Sequence, residues 1–389
     1  MDTTPEGNTV KFRHVAAVSA VALTAVLALS SCSSSSTGSS TDDSSPAPTK
    51  SASAVVYKID SSLTGTITAG GSSAQANAET AWAAAFKAQA TGVTVNYDKS
   101  QGSGGGVTNW LSGSYDFAGT DSALSAAQQT SSQTLCGTGG ALNIPNYLSG
   151  VAIIYKLDGV TDLKLSSATL AKIFTLQIKT WNDPAIAADN TGATLPATPI
   201  TVVTRSDGSG TTANFTSYLS EVQPSIFTQA AGTAWPVAGT SGQQGGSGVV
   251  NTVTAGSGTI GYADNSSIGS VTSAQIQVGT GKNFVAYSQS GATKAFESAA
   301  TATPSTDGDL TQHIDYSKIT EKDEYPIPLL SYQVVCTTFK DAAQGKVTKA
   351  YLGYIASTEG QKIASVNAGA APLPTSILTE IQKSLKLVK

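Results

Sequence analysis

The stretch 205–212, with the sequence RSDGSGTT, brings together the groups that proteins use to hold an anion. Arg205 is the only arginine after Arg13, so lysine supplies nearly all other positive charge. A guanidinium is permanently charged and presents paired N–H donors to an oxyanion. Asp207 lies two residues further on, where it would orient the guanidinium through a salt bridge. We therefore predict that this stretch binds a small oxyanion.

The segments on either side of this stretch predict a strand and a helix. Residues 200–204 are rich in β-branched side chains, and residues 213–219 have a helical pattern. Ser209, Gly210 and Thr211 would then lie close to the helix start. The first backbone N–H groups of a helix lack intrahelical partners, and the helix dipole is positive there. This arrangement is a common anion site.

Two earlier turns have the same character. Ser73 and Ala74 follow the run GGS, and Ser103 lies in the run GSGGG before a helix predicted to start at Val107. Each turn alone is more typical of a helix cap, in which a serine oxygen accepts a backbone N–H group. Three such turns with a single arginine favour a shared site, because together they supply about a dozen donors for a tetrahedral oxyanion.

Asp121 is unusual because a carboxylate beside an anion is unfavourable unless the anion carries a proton that the carboxylate can accept. Phosphate still carries protons near neutral pH, whereas sulfate is fully ionised. Asp121 would therefore select phosphate over sulfate. The alternative is that Asp121 caps a helix that runs from Ser122.

A unit of strand, Gly/Ser turn and helix recurs at 63–90, 93–111 and 200–219. Alternating strands and helices predict an α/β fold with mainly parallel sheets. In such folds ligands bind at the carboxyl ends of the strands, where these turns would lie. The pattern favours one site assembled from several turns.

Composition narrows the possible functions. The chain has 389 residues, long enough for two lobes, and its net charge of −4 argues against a nucleic-acid partner. His14 and His313 are the only histidines, and the sequence has no metal-ligand cluster, nucleophile elbow or nucleotide-binding P-loop. We therefore expect a binding protein rather than an enzyme, with neither metal nor cofactor.

The N-terminus has the pattern of a bacterial export signal. A basic segment precedes an apolar segment, 15–29, that is too short to span a membrane comfortably. Residues 1–31 predict a lipoprotein signal peptide, and Cys32 would carry a lipid such as palmitate; an ordinary signal peptide is the alternative. The serine-rich residues 32–55 predict a disordered tether. We expect anchoring on the extracytoplasmic face of the cell membrane.

Four motifs in this order resemble those of one protein family: AGGSSA at 69–74, GSGGG at 102–106, DFAGTD at 116–121 and RSDGSGT at 205–211. The chain resembles the phosphate-binding lipoproteins of the bacterial Pst-type ABC importer. Two later stretches, GTIGY and APLP, also resemble that family, so the likeness covers roughly residues 60 to 389.

The resemblance implies a class II periplasmic-binding-protein fold, in which two α/β lobes joined by a two-stranded hinge hold the ligand between them. It implies a first lobe of residues 56–149 and 329–389 and a second lobe of residues 150–328. Asp121 would accept the phosphate proton, and Asp207 would support Arg205. The other phosphate ligands that it implies are Ser73, the backbone N–H of Ala74, Ser103, Arg205, Ser209, Gly210 and Thr211.

The first turn departs from the family pattern. The family commonly has Thr-Phe-Pro where this chain has Ser73, Ala74 and Gln75. The hydroxyl and the backbone donor are retained, but the apolar cover over the cleft is smaller. This change affects affinity and closure rather than the class of ligand.

Cys136 and Cys336 are the two cysteines that follow Cys32. Outside the cytoplasm they could form one disulfide, or they could stay as two buried thiols. The implied fold brings both to the first lobe near the crossovers, which favours a disulfide.

The resemblance also implies a monomeric receptor that delivers inorganic phosphate to the transmembrane permease subunits of an ABC importer. One rival is a receptor for another oxyanion, such as sulfate or molybdate. The other is a secreted phosphatase that uses Ser209 or Ser103 as its nucleophile, although the sequence offers no nearby base.

Overall fold

The computed structural model describes residues 53–389, which form alternating helices and strands. The predicted signal peptide, Cys32 and nearly all of the predicted tether lie outside the described residues. The strands are β1 (Thr64–Gly71), β2 (Gly92–Asp98), β3 (Phe117–Thr120), β4 (Ala141–Lys156), β5 (Lys164–Leu165), β6 (Thr201–Arg205), β7 (Ser241–Gln243), β8 (Thr259–Asp264), β9 (Gln275–Gln277), β10 (Phe284–Val285), β11 (Ala300–Ala302), β12 (Gln312–Ile314) and β13 (Pro328–Cys336).

The helices lie mainly between the strands, as an α/β fold requires. They are α1 (Ala76–Gln89), α2 (Gly102–Leu111), α3 (Ala126–Cys136), α4 (Ser167–Phe174), α5 (Pro184–Asp189), α6 (Gly210–Val222), α7 (Gly245–Ala255), α8 (Gln289–Ala299), α9 (Ala342–Ile355), α10 (Thr358–Ala368) and α11 (Thr375–Ser384). Within residues 53–389, none of these helices is both long and apolar enough to span a membrane.

Eight strands form one sheet in the order β2-β1-β3-β13-β4-β8-β6-β7. Strand β4 joins its two parts, because residues 141–150 pair with β13 and residues 151–156 pair with β8. We call β2, β1 and β3 the first half-sheet and β8, β6 and β7 the second half-sheet, with β13 and β4 as the junction between them. The lobe boundary predicted at 149/150 stays a prediction, and it lies next to this change of partner.

The sheet is parallel within each half and antiparallel at the junction. Strand β1 runs parallel to β2 and β3, and β6 runs parallel to β7 and β8. Strand β13 is antiparallel to β3 and β4, and β4 is antiparallel to β8. The predicted α/β class is therefore confirmed, while the prediction of mainly parallel pairing holds only within the halves.

Two helices begin earlier than the sequence pattern predicted. Helix α2 begins at Gly102 rather than Val107, and α6 begins at Gly210 rather than Ala213. Glycine is a weak helix former, so a glycine-rich first turn looks like a loop in the sequence. As a result Ser103 lies inside the first turn of α2.

Aromatic clusters fix the strands that carry the candidate site. Trp82 and Phe86 of α1 are fully buried, as their four-residue spacing predicts. The ring of Phe86 packs edge-on against Tyr351 of α9, with centroids 5.3 Å apart. On the second half-sheet, the rings of Phe215 in α6 and Tyr262 in β8 have centroids 4.9 Å apart. The first contact joins α1 to α9, which packs on β1, and the second holds α6 on the second half-sheet.

A disulfide bond joins Cys136 at the end of α3 to Cys336 at the end of β13. Both residues are buried, and 200 positions separate them in the sequence. The bond therefore ties the early part of the first half-sheet to the strand that returns to it late in the chain.

Candidate functional site

The predicted site segments meet beside the carboxyl ends of β1, β3 and β6. Ser72 follows β1, Asp121 follows β3, and Arg205 ends β6. The first turns of α2 and α6 lie against them. The carboxyl ends of β1 and β3 in the first half and of β6 in the second half point towards the middle of β4 from opposite sides, so these turns meet between the two halves.

The Arg205 guanidinium is buried and held by Asp207. Its Nε donates to Asp207 Oδ1 at 2.7 Å, and Nη2 donates to Oδ2. The N–H of Gly245 also donates to Oδ1, at 3.1 Å. Burial alone would raise the pKa of Asp207, but the hydrogen bonds and the charge of Arg205 outweigh burial and lower it. Asp207 uses two of the five guanidinium N–H donors and leaves three for an anion.

Ser209, Gly210 and Thr211 form the start of α6. The Ser209 hydroxyl oxygen accepts the N–H of Thr212 at 3.1 Å, which caps the helix. The hydroxyl hydrogen of Ser209 is then still available to a ligand. Gly210 and Thr211 are the first helical residues, so their backbone N–H groups have no acceptor within the helix.

Asp121 is almost completely buried, with 3% exposure. Its Oδ1 accepts the hydroxyls of Ser72 and Ser331, the second at 2.6 Å. Its Oδ2 accepts the Thr211 hydroxyl at 3.1 Å, which joins the carboxylate to α6. Burial raises the pKa of Asp121, and the three hydroxyls and the charge of Arg205 offset that rise only in part. A carboxylate with a raised pKa is a good acceptor for a proton that a ligand carries.

The first turn of α2 reaches both Asp121 and the arginine loop. The Ser103 hydroxyl oxygen accepts the N–H of Asp121 at 3.2 Å. The N–H of Gly104 donates to the carbonyl oxygen of Gly208 at 2.8 Å. Gly102 has a φ of +63°, and a Cβ there would lie 2.3 Å from the Asp207 carboxylate. Glycine is required at this position for both reasons.

The turn after β1 is occupied by contacts within the protein. The Ser73 hydroxyl oxygen accepts the N–H of Gly246 at 3.3 Å, across the boundary between the half-sheets. The N–H of Ala74 donates to the Ser72 hydroxyl at 3.1 Å. Ser73 and Ala74 therefore lie where the two halves meet, and Ser72 is the serine of this turn that bonds to Asp121.

The structure adds three groups that the sequence prediction missed. Ser72 adjoins Ser73, so the GGSSA run carried a visible signal for it. Ser331 lies 210 residues from Asp121, within the apolar pattern of a buried strand, and the sequence carried no signal for it. Asn214 of α6 donates its side-chain amide to the Asp121 carbonyl oxygen at 2.5 Å.

The charges at the site are one guanidinium and two carboxylates, those of Asp207 and Asp121. A fully ionised anion would face a carboxylate that repels it, whereas a protonated oxyanion can donate its proton to Asp121. The remaining donors are neutral hydroxyls and backbone N–H groups. Within residues 53–389, no group of three or more His, Cys, Asp or Glu side chains could hold a metal ion.

A family model described as the PBP superfamily domain matches residues 44–359. Phosphate-binding protein PstS 3 of Mycobacterium leprae is 34% identical over 325 residues, which cover 83% of this chain and 87% of that protein. Phosphate-binding protein PstS 2 of Mycobacterium tuberculosis is also 34% identical, with coverage of 82% and 86%. Phosphate-binding protein PstS of Xylella fastidiosa is 31% identical, with coverage of 77% and 79%.

Two solved structures have the same fold. The phosphate-binding protein of Stenotrophomonas maltophilia matches with a TM-score of 0.64 and 19% identity, over 82% of this chain and 93% of that chain. The periplasmic phosphate-binding protein PfluDING, solved with bound phosphate, matches with a TM-score of 0.65, 20% identity and the same coverage. At this identity the likeness bears on the fold alone.

Proposed function

The chain belongs to the PBP superfamily and, within it, to the PstS phosphate-binding proteins, and we propose that it captures inorganic phosphate for an ABC importer. The resemblance inferred from the four sequence motifs is thus confirmed, as is the periplasmic-binding-protein fold. Members of this family are substrate-binding proteins and not enzymes.

The observation that carries the proposal is the position of Asp121 against the start of α6. Its Oδ2 lies 3.1 Å from the Thr211 hydroxyl, at the meeting of the two halves to which the Arg205 loop contributes its free donors. A buried carboxylate at an anion site is favourable only for an anion that donates a proton. Phosphate does so near neutral pH and sulfate does not. This argument favours phosphate over the sulfate and molybdate alternatives.

The proposed ligand set combines one cation with neutral dipoles. Arg205 would bind the anion through its three remaining N–H donors, and Asp121 would accept the phosphate proton. Helix starts supply backbone N–H groups aimed at negative charge. The further ligands proposed are Ser73, the N–H of Ala74, Ser103, Ser209, Gly210 and Thr211, with Asp207 as the support of Arg205.

We propose that binding closes the two lobes about β4 and β13. These strands form the antiparallel junction between the half-sheets, so bending there would move one half-sheet against the other. Phosphate would be held by groups from both halves, which ties closure to occupancy. The closed shape would then present both lobes to the transmembrane permease subunits.

We also propose a lipid anchor at Cys32 on the extracytoplasmic face of the membrane, with the protein acting as a monomer. The cysteine directly after the apolar segment and the serine-rich sequence that follows support this proposal. Radiolabelled palmitate incorporation that is lost in Cys32→Ser tests it. Unchanged labelling of the variant would contradict it.

Calorimetric titration of the purified protein tests the ligand. We expect phosphate to bind, arsenate to compete because it matches phosphate in shape and protonation, and sulfate to bind far more weakly. Equal affinity for sulfate would favour the other-oxyanion alternative. Release of p-nitrophenol from p-nitrophenyl phosphate that is lost in Ser209→Ala or Ser103→Ala would favour the phosphatase alternative.

A further inference from the structure

A chain of buried polar side chains runs from Asp121 into the interior of the first half-sheet. Its members are Gln75 just before α1, Glu79 of α1, and Ser331 and Gln333 of β13, and each is at most 1% exposed. A buried polar group costs free energy unless it is hydrogen-bonded. The contacts of these four side chains therefore bear directly on what they do.

The contacts form one continuous path. The Ser331 hydroxyl donates to Asp121 Oδ1 at 2.6 Å and accepts from Gln75 Nε2 at 2.5 Å. Gln75 Oε1 in turn accepts from Gln333 Nε2 at 2.9 Å. The same Gln333 nitrogen donates to Glu79 Oε1 at 3.1 Å. The path thus links Asp121 to a second buried carboxyl group.

The donor and acceptor atoms of these side chains set the direction of each hydrogen bond in the path. Above about pH 7 Glu79 is ionised and can only accept, so the amide of Gln333 must turn its NH2 group towards it. That NH2 group also faces Gln75, which must present its oxygen to Gln333 and its own NH2 to Ser331. Reversing Gln333 would set its oxygen against the oxygens of Gln75 and ionised Glu79. Reversing Gln75 would set its oxygen against the Tyr332 carbonyl oxygen and its NH2 group against that of Gln333.

Ser331 connects this hydrogen-bonded path to the ligand site. Because its oxygen accepts from Gln75, its single hydrogen is left for an acceptor on the other side. Two acceptors are within reach, Asp121 Oδ1 at 2.6 Å and the Thr120 carbonyl oxygen at 3.2 Å. The shorter, charge-assisted contact to Asp121 is the stronger one.

We propose that Gln75, Gln333 and Glu79 are positioning residues that direct the Ser331 hydroxyl onto Asp121 Oδ1 and leave Oδ2 to accept the proton of the ligand. With Oδ1 satisfied by Ser331 and Ser72, the carboxylate keeps its charge and its orientation. Phosphate affinity and the preference over sulfate then depend on side chains that never touch the anion. This inference rests on the proposed function.

The groups around Glu79 identify it as the anchor of the path. Tyr351 of α9 donates its hydroxyl to Glu79 Oε2 at 2.8 Å, and Tyr97 of β2 is the other titratable side chain that interacts with Glu79. Burial raises the pKa of Glu79 to about 7, against the opposing bonds from Tyr351 and Gln333. An acidic side chain that stays buried despite the free-energy cost of desolvation is expected to have a specific role.

Two substitutions of Glu79 distinguish a role in the hydrogen-bonded path from a role in core packing alone. Glu79→Met keeps the side-chain length but removes the acceptor that orients Gln333, so we expect phosphate affinity to fall about tenfold, the value of one hydrogen bond. Glu79→Gln keeps a carbonyl oxygen for Gln333 and should restore affinity to within about twofold of wild type. Thermal unfolding of the full chain confirms that each variant is folded.

A double-mutant cycle with Ser331→Ala tests whether Glu79 acts through Ser331. If it does, adding Glu79→Met to Ser331→Ala causes no further loss of phosphate affinity, and the phosphate-to-sulfate ratio falls equally in both single variants. Additive losses would overturn the inference, as would wild-type affinity and selectivity in Glu79→Met.

The pKa of the Asp121 carboxyl, followed by carbon-13 NMR without any ligand, gives an independent readout. Loss of the directed hydroxyl should raise this pKa in Glu79→Met. Removing Glu79, whether protonated or charged, cannot raise this pKa by electrostatics alone, so an unchanged or lower pKa overturns the inference. Failure of the wild type to bind phosphate would refute the proposed function, while this titration would still decide the role of the path.

Discussion

The backbone N–H of Gly104 donates a 2.8 Å hydrogen bond to the carbonyl oxygen of Gly208, so helix α2 and the arginine loop meet backbone to backbone. Helix α2 packs on the first half-sheet, and Gly208 follows β6 of the second half-sheet. A Cβ on Gly104 would lie 3.3 Å from the Cα of Gly208. The two halves approach this closely because neither residue carries a side chain.

Gly210→Ala should prevent the two halves from lying this close together. An added Cβ would lie 2.6 Å from the Cβ of Asp121 and 2.6 Å from the Ser103 hydroxyl, so one half must move away. We expect calorimetry to show at least about a tenfold loss of phosphate affinity, since misplaced donors weaken every contact to the anion. Alanine is a better helix former than glycine, so α6 itself should stay intact.

Gly232→Ala is the matched control, because a Cβ at Gly232 would have no neighbour within 4 Å. We expect it to bind phosphate as wild type does. Wild-type affinity in Gly210→Ala would show that the contact between Asp121 and α6 is not part of the binding arrangement.

Asp207→Asn should destabilise the protein because it leaves the buried Arg205 guanidinium without its counter-ion. Breaking a buried ion pair in this way costs about 3–5 kcal/mol, measured by urea unfolding. Added phosphate should restore more stability to the variant than to the wild type, since the anion supplies the missing charge. Asp158→Asn removes an exposed pair with Lys156 and should cost no more than about 1 kcal/mol. Equal stability of both variants would contradict the role given to Asp207.

Glu79 makes stability depend on pH. Its pKa rises from 4.5 to about 7 on folding because of burial, so the folded state retains a proton that the unfolded chain loses first. This contribution is present in full below pH 4.5 and is lost as the pH rises through about 7. Asp264, raised by burial to about 6, acts in the same direction.

In wild type, Glu79 should make the free energy of unfolding fall between about pH 5 and pH 8. In Glu79→Gln this fall should be smaller by up to about 3 kcal/mol. Urea unfolding at several pH values measures this difference, and comparison with wild type removes the contribution of Asp264. The exposed Glu297→Gln is the control. Identical pH profiles for wild type and Glu79→Gln would contradict the prediction.

Removal of the Cys136–Cys336 disulfide should lower stability by about 2–5 kcal/mol, because the bond closes a loop that spans 200 positions. The double variant with alanine at both positions, compared in urea with the oxidised wild type, measures the effect. Phosphate affinity should not change, since Cys336 lies beyond the amino end of β3 and Asp121 follows its carboxyl end. A large loss of affinity would contradict this separation of the disulfide from the site.

The sequence predicted the parts of the fold that have strong local patterns. The strand predicted at 200–204 is observed as β6, Thr201–Arg205, and the helix predicted at 213–219 lies within α6, Gly210–Val222. Helices α3 and α10 were not predicted. In α3, only Ser132 and Cys136 are buried, so its residues show no clear apolar stripe. Packing against the rest of the protein, rather than amphipathic pattern, determines such helices.

The residues of the candidate site were likewise predicted only in part. The loop around Arg205 and the position of Asp121 were evident because rare residue types stand beside glycine and serine turns. Ser331 and Gln333 alternate with large apolar residues in β13 and gave no signal. Their role depends on strand pairing across about half the chain, which local patterns do not reveal.

The most direct test of the account compares wild type with Asp121→Asn in calorimetric titrations with phosphate and with sulfate. An asparagine can donate to a fully ionised anion, whereas the carboxylate must repel it. We expect wild type to prefer phosphate strongly, and Asp121→Asn to lose at least about tenfold of that preference, mainly by tighter sulfate binding. An unchanged ratio of the two dissociation constants would contradict the claim that Asp121 selects the anion by its proton.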